Sequence, residues 1–561
     1  MDMLHQSFTT LLRFSLLAIL AGLLCVSLIH ADSEESVPTD VEDAIQIEHV
    51  DSETPAPPSL LSRVNSSMAS VMFFDILGGA HTVTQVDISG NPVIDPETGE
   101  PKKRTVGFPL LVAILAFGAI FFTFFYGWIN IRGFQHSIDV VRGKFDHEDD
   151  TGDVSHFRAL TSALSATVGL GNIAGVAVAI QQGGPGAVFW MMFLALFGMS
   201  AKFGSCTLSQ MYRRVNPDGS ISGGPMYYLD LGLRDVSALL KPLGKTLAIL
   251  YAIFIMGGSF GGGNMFQANQ TAEAITNTFG LTPGAENIIG IILAVLVAIV
   301  VLGGIKRIGA ATSKIVPLMC GIYVIAAIVV LVTNLHNIPS ALGTILNEAF
   351  APNAFFGGLL GVLIMGFRRA AFSNEAGLGS AAIAHAAAKT KEPVREGLVA
   401  MLEPFIDTII ICFMTSMVIV VTGVYADPSI GAGSADIGVS LTTAAFQSVI
   451  PWFPIVLTIC IALFAYSTMI SWCYYGERGW IYLMDHLGEG VGLRTLPIFR
   501  TIFVFFTYLG AISSLGDVID FSDLMILSLA FPNIVGSLIL APRVKRLLAN
   551  YWTRLKAGEM K

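Results

Sequence analysis

Two apolar stretches decide how this chain is read: ALTSALSATVGLGNIAGVAVAIQQ at 159–182 and FFGGLLGVLIMGFRRAAFSNEAGLGSAAIAHAAA at 355–388. Each is long enough to cross a bilayer, which takes about 20 residues, and each is interrupted midway. In the first, Gly169, Gly171 and Gly175 surround Asn172. Glycine is poor in a helix interior, and clustered with an amide it favours an unwound stretch. In the second, Gly366, Arg368, Arg369, Asn374, Glu375, Gly377 and Gly379 stand where hydrocarbon demands apolar side chains. Close helix packing is an alternative account of Gly171 and Gly175. It gives no reason for Arg-Arg and Asn-Glu.

Around these two lie nine further apolar segments of spanning length. The set of eleven runs roughly 108–130, 158–182, 186–209, 246–277, 287–304, 313–333, 355–388, 398–424, 452–475, 498–515 and 520–541. The alternation that a closed barrel requires is absent, so the crossings are expected to be helices. Lys and Arg crowd every second loop: Arg132, Arg142, Lys144 and Arg158, then Arg213, Arg214, Arg234, Lys241 and Lys245, then Lys306, Arg307 and Lys314, and onward to a basic tail at 542–561. The intervening loops carry none. The positive-inside rule then puts the C-terminus in the cytoplasm and, with an odd number of crossings, the mature N-terminus outside.

Composition agrees: 53% of the 561 residues are hydrophobic and 13% charged, about half the charge of a soluble domain. The net charge of −9 comes from an acidic stretch, 32–60, and no basic footprint for nucleic acid remains. Residues 1–31 read as a signal peptide, although Ile29 stands where a small residue is usual, and 32–59 as disordered. Within the exported segment 32–107, residues 81–105 alternate like a small hairpin. The six cysteines show no metal or disulfide spacing and read as buried apolar side chains. HExxH and Walker-type loops are missing, so no enzymatic chemistry is expected.

The seventh segment follows the second by five crossings, and five crossings reverse the orientation of whatever is repeated. Setting the first segment aside leaves 158–333 and 355–541, two groups of five that each begin with a broken helix. That pattern marks an inverted-repeat transporter with its site at the midplane. The expected fold is therefore an all-α polytopic membrane protein of eleven transmembrane helices, a 5+5 inverted repeat with two discontinuous helices plus one preceding helix, within a transporter domain at 108–541.

The motifs TVGLGNIAGVA (167–177), GGPGAVFWM (183–191), NMFQANQTA (264–272) and AAFSNEAGLGSAAIAHAAAKTKEPVREG (370–397) resemble the alanine or glycine:cation symporter family. The resemblance spans about 108 to the end. It implies the ten-helix fold of the bacterial leucine transporter plus one helix, and sodium-driven uptake of a small amino acid through a bacterial inner membrane. A proton-coupled or exchange carrier of the same fold is the alternative, and a channel or nutrient sensor a further one.

A half-helix beginning after the break presents free N–H groups near Gly171 to Ala174, which suit a substrate carboxylate. Carbonyls ending the first half, at Ala166 to Gly169, suit a cation. The stretch FAYSTMISW (464–472) adds the hydroxyls of Ser467, Thr468 and Ser471. By resemblance, Ser467 and Thr468 join the carbonyls around one sodium ion, so the sodium candidates are Ala166, Gly169, Ser467, Thr468 and Ser471. The opposing account is that hydroxyls bond back to their own helix. Asn264, Gln267, Asn269 and Gln270 on the fourth segment suggest a lined cavity, and the resemblance places Gln267 beside the substrate. Candidate substrate contacts are Gly169, Leu170, Gly171, Asn172, Phe266, Gln267, Phe372, Asn374 and Trp472. Arg368, Arg369 and Glu375 read as a gate, a relay or a mutual ion pair. Glu403 and Asp407 read as solvated near the membrane surface, and His385 is given no proton role.

Overall fold

The computed structural model describes residues 60–72, 74–76, 78, 82–84, 100–105, 107–147, 150–216, 221–282, 284–301, 305–350, 358–427 and 438–560. The expected signal peptide and acidic stretch lie outside the described residues. A helix at Leu60–Met72 rests on the helix Leu515–Ser528, with Asn65 Nδ2 donating to the Asp517 carbonyl at 2.9 Å. Thr82–Thr84 pairs antiparallel with Lys103–Thr105, where the alternating pattern placed a hairpin.

Among the described residues seven helices are long and apolar enough to cross a membrane, and a bent pair, His156–Thr167 with Leu170–Gly183, makes an eighth. Two shorter apolar helices, Leu110–Phe125 and Ala285–Val301, coincide with the first and fifth segments, and Gly358–Asn374 forms the first half of the seventh. The surface of Ala285–Val301 shows why these helices belong in lipid: Ile288, Ile291, Ile292, Val295 and Ile299 are all exposed, a band that water would not tolerate. Two helices not anticipated, Ile338–Phe350 and Val439–Gln447, follow the sixth and eighth segments. The letters Gly257 to Gly261 fit a GxSxG pattern, but they lie in a helix, and Ser259 Oγ donates to the Met256 carbonyl. No strand-to-helix elbow exists there.

Charges inside the bundle are paired across segments, which corrects two expectations. Glu403 is fully buried, not solvated, and meets Lys202 of the third helix, Gly186–Tyr212, at 2.7 Å. Arg368 and Arg369 do not pair with Glu375. Both reach Asp523 on Leu515–Ser528, Arg368 at 2.8 Å, and the Arg369 guanidinium also lies over the Phe372 ring. Burial forces this pairing, because an uncompensated ion in low dielectric costs several kcal/mol.

Close packing sets the glycines. A Cβ on Gly366 would lie 2.6 Å from the Ala187 carbonyl oxygen and 2.6 Å from Trp190 Cβ, so the third and seventh segments touch backbone to side chain there. Gly366→Val should therefore destabilise the purified protein by about 1–3 kcal/mol, read as a lowered midpoint of thermal unfolding. Gly343→Ala, inside the helix Ile338–Phe350 with nothing within 4 Å, should instead raise that midpoint slightly, by the about 0.5–1 kcal/mol that separates alanine from glycine in a helix. Lys202→Met should cost about 3–5 kcal/mol by stranding Glu403, and Lys202→Met with Glu403→Leu should recover most of it. The same thermal measurement on the three proteins decides this.

Candidate functional site

The helix His156–Thr167 starts on Ser155, whose Oγ accepts from the Arg158 N–H, and ends at Val168. Gly169 is extended, Leu170–Asn172 makes one tight turn, and the helix resumes at Ala174 with its axis turned by 59°. The backbone groups freed by this break are met by amides. The Gly169 N–H donates to Asn172 Oδ1 at 2.9 Å and the Leu170 N–H to Gln267 Oε1 at 3.1 Å, while Gln267 Nε2 holds the Gly262 carbonyl at 2.9 Å. A side chain at Gly169 has no room: its Cβ would strike Thr468 Oγ1 and lie 3.2 Å from Gln267 Oε1.

The seventh segment breaks after Asn374. Glu375 sits at φ 56°, Gly377 at 85° and Gly379 at 83°, and Ala381–His385 restarts the helix. The two left-handed glycines fit because they lack Cβ; Glu375 carries a strain of about 1–2 kcal/mol, and its carboxylate accepts from Ser380 Oγ. Lys202 Nζ donates to the Asn374 carbonyl at 2.7 Å and Asn533 Nδ2 to the Gly377 carbonyl at 2.7 Å. The Asn374 side chain bonds Thr408 Oγ1 and the Ala376 N–H. It faces the eighth segment.

One carboxylate joins the two breaks. Asp407 Oδ1 accepts from Asn172 Nδ2 at 2.6 Å, and its Oδ2 accepts from Ser373 Oγ at 2.8 Å and Thr408 Oγ1 at 2.7 Å. Asp407 is wholly buried, so its expected place among surface carboxylates is also corrected. The helix that carries it begins at Pro393, five residues before the expected start of the eighth segment. At about 1.5 Å per residue this sets Asp407 some 20 Å along the helix.

The ninth helix, Phe453–Met484, lies against the end of the first half-helix. Thr468 Oγ1 donates to the Ser165 carbonyl at 3.0 Å, Ser471 Oγ to Ser165 Oγ at 2.9 Å, and Trp472 Nε1 to the Ala166 carbonyl at 3.2 Å. Ser467 differs. Its hydroxyl turns back to the Phe464 carbonyl, while its own carbonyl accepts from Ser165 Oγ. Ala166, Gly169, Thr468 and Ser471 are thus brought together; the Ser467 hydroxyl is not. Thr468 Oγ1 spends its proton on Ser165 and keeps lone pairs for a hard cation.

Aromatic rings lie on the glycines around the break. Phe266 and Phe372 meet edge to face at 5.0 Å. A Cβ on Gly171 would lie 3.4 Å from the Phe372 ring and one on Gly262 3.0 Å from it, while Gly263 abuts Trp472. Of the four amides on the fourth segment, Gln267 faces the break. Asn264 bonds Phe503 and Thr507, Asn269 bonds the Gly510 and Ser513 carbonyls, and Gln270 bonds Glu273 and the Val439 N–H. The four amides therefore turn to different partners and do not face one common point. A cavity of about 500 Å³ does lie farther along the same helix, among Asn269, Glu273, Asn277, Glu286 and Ser513, and touches neither break.

Sequence reasoning passed over Lys202 and Asp523, although a charge inside an apolar run was signal enough to flag both. No cluster of three or more His, Cys, Asp or Glu side chains suited to a bound metal occurs among the described residues.

Comparison with known proteins supplies the lineage. Residues 98–561 match the model of the sodium:alanine symporter family. The sodium/alanine symporter AgcS of Methanococcus maripaludis is 42% identical over 435 residues, covering 77% of this chain and 92% of that protein. An uncharacterized transporter of Haemophilus influenzae is 38% identical over 458 residues, covering 80% and 94%. The solved structure of MhsT with L-phenylalanine aligns with a TM-score of 0.43 at 16% identity, over 70% of this chain and 98% of that one, a likeness too slight to carry the fold. A family match over more than four-fifths of the sequence, with a relative at 42% identity, makes this multi-pass membrane protein a member of the sodium:alanine symporter family.

Proposed function

We propose that the chain is a sodium-coupled symporter of alanine, glycine or a similarly small amino acid, working by alternating access across a bacterial inner membrane. The observation that carries this reading is the buried, unwound Gly169–Ile173 stretch, held by Gln267 and Asp407 on one side and facing Thr468 and Ser471 on the other. Counting Leu110–Phe125, Ala285–Val301 and the broken seventh segment as crossings gives eleven, the number that an inverted repeat plus one preceding helix requires. With the C-terminus inside, the 500 Å³ cavity opens outward as an antechamber, its floor at Asn269 two residues from Gln267. Arg369 and Asp523 close that side, because both breaks lie deeper along their helices. Residues 1–31 serve as the export signal and 32–107 stay outside.

The substrate carboxylate takes the N–H end of the resumed half-helix near Gly171 and Ala174, because the Asn172 and Ile173 N–H groups are held by the Gly169 and Leu170 carbonyls. Leu170, Asn172 and Gln267 stand around it, and Phe266, Phe372 and Trp472 limit the side chain to a small one, while Asn374 acts from behind through Thr408. Sodium takes the Ala166 and Gly169 carbonyls with Thr468 and Ser471. The sodium/alanine symporter of Methanococcus maripaludis, 42% identical, supports the choice of a small amino acid and sodium as the cargo. One charge crossing about 100 mV supplies about 2.3 kcal/mol and a tenfold sodium gradient about 1.4 kcal/mol, together holding substrate roughly 500-fold concentrated.

Uptake of labelled alanine into proteoliposomes, with sodium and proton gradients imposed separately, tests the coupling: sodium alone should drive accumulation, and indifference to sodium would defeat the proposal. Thr468→Val should raise the sodium concentration for half-maximal uptake about tenfold, the loss of one ligand worth about 1.4 kcal/mol. Trp472→Leu should let larger apolar amino acids compete with alanine; an unaltered competitor profile would remove Trp472 as a wall.

A further inference from the structure

A line of buried ionisable side chains runs from the break of the seventh segment to the protein surface, and nothing in the transport reading uses it. Lys202 Nζ holds the Asn374 carbonyl and Glu403 Oε1, each at 2.7 Å. Glu403 Oε2 faces His385 Nε2 at 3.6 Å. His385 Nδ1 bonds Glu396 Oε1, and Glu396 Oε2 bonds His156 Nδ1. His156 Nε2 then faces Asp146 Oδ1 at 3.8 Å, and Asp146 has about half its side chain in solvent (47%). His156, His385, Glu396 and Glu403 are all buried.

Each imidazole bonds Glu396 through Nδ1, and its Nε2 lies within 4 Å of a second carboxylate, Glu403 for His385 and Asp146 for His156, at a separation that is an ion-pair contact and not a hydrogen bond. A negative charge on both sides of each ring gives the imidazolium form partners that the neutral ring does not use. With Lys202, the two rings then balance Glu403, Glu396 and Asp146. The remaining charges bearing on these rings among the described residues are few. Arg395, which donates to the Phe145 carbonyl at 2.7 Å, repels a proton on His156. Arg213 bears on Glu396 while it pins the Thr151, Ala386, Ala388 and Thr390 carbonyls.

The placement on the chain gives this line its meaning. His156 opens the first half of the second segment and His385 ends the second half of the seventh. Lys202, Glu396 and Glu403 sit on the third and eighth helices. The cluster therefore ties the outer ends of two interrupted segments to two continuous neighbours, on the side that the charge pattern makes cytoplasmic.

We propose that the His385–Glu396–His156 cluster is a proton-binding site whose occupancy latches the cytoplasmic side shut, so that internal pH governs the rate of inward opening. This rests on the alternating-access reading. A swing of the first half-helix about Val168–Ile173 draws His156 away from Glu396 and Asp146 and wets the ring. The imidazolium then gives its proton to cytoplasmic water, and closing takes one back. The ring faces one side only, so the proton is exchanged with the cytoplasm and not carried across. High internal pH empties the site and eases opening; low internal pH fills it and slows opening.

Two measurements on the full chain test this. Hydrogen exchange of the peptides covering 156–167 and 381–400, corrected for the intrinsic pH dependence of amide exchange, should show protection falling roughly threefold between about pH 7 and about pH 9, the range into which two facing carboxylates move an imidazole's loss of charge. In His156→Gln the low protection should hold at both pH values, and Asp146→Asn, at an exposed position, should weaken the dependence without disturbing folding. Equal protection at both pH values in the unaltered protein, or an unchanged pH response in His156→Gln, would overturn the proposal. In proteoliposomes at fixed external pH, sodium-driven alanine uptake should slow roughly threefold as internal pH drops over the same range, and external pH alone should not reproduce the effect. Sodium-driven uptake that ignores internal pH would sink the latch and spare the symporter. A total lack of uptake would sink the symporter, and exchange would then decide the latch by itself.

Discussion

The structure depends on the Asp407 carboxylate, shared between two helices that have each given up their hydrogen-bond ladder inside the bilayer. A helix broken in hydrocarbon leaves N–H and C=O groups that water cannot reach, and each costs several kcal/mol if unmet. Asp407 does not meet those groups itself. It orders the side chains that do: Asn172, which folds back onto the Gly169 N–H, and Ser373, which stands next to the break at Asn374. One oxygen serves each segment, so neither break can relax without disturbing the other.

Around that carboxylate the molecule repeats one device. At both breaks a polar side chain from a neighbouring helix takes up a freed backbone group: Gln267 from the fourth, Lys202 from the third, Asn533 from the last. The third segment, which supplies Lys202, is one unbroken helix, whereas the fourth has its own π-turn at Gly261–Met265, and Gln267 serves both that turn, through the Gly262 carbonyl, and the Leu170 N–H. The glycines serve the same end. Gly171, Gly262 and Gly263 let the rings of Phe372 and Trp472 lie on bare backbone beside the break.

Much of this was legible in the sequence because it is written locally. The clusters at Gly169–Gly175 and at Arg368–Gly379 announced both interruptions, and the QAN and YST motifs pointed to Gln267 and Thr468. What escaped was written in pairs. Lys202 gains its meaning from Glu403, two hundred residues away, and Arg369 from Asp523; a single sequence carries no record of which charge meets which. Asp407 was misplaced for a different reason. Apolar residues set the expected start of its segment at 398, whereas Pro393, preorganised for the first turn of a helix, starts it earlier and carries the carboxylate deep into the bundle. Ser467 shows the opposite failure. Spacing put its hydroxyl among ligands, and a bond to its own helix took it away.

The helix Leu60–Met72 stands upstream of the region shared with the family, which begins at 98, yet it rests on the helix that carries Asp523. An element upstream of the matched region therefore leans on a helix inside it. Trimming the chain to residue 98 would take the Asn65 contact off the helix that pairs with Arg368 and Arg369, so a shortened version would lack a brace beside the buried charges that the intact one keeps.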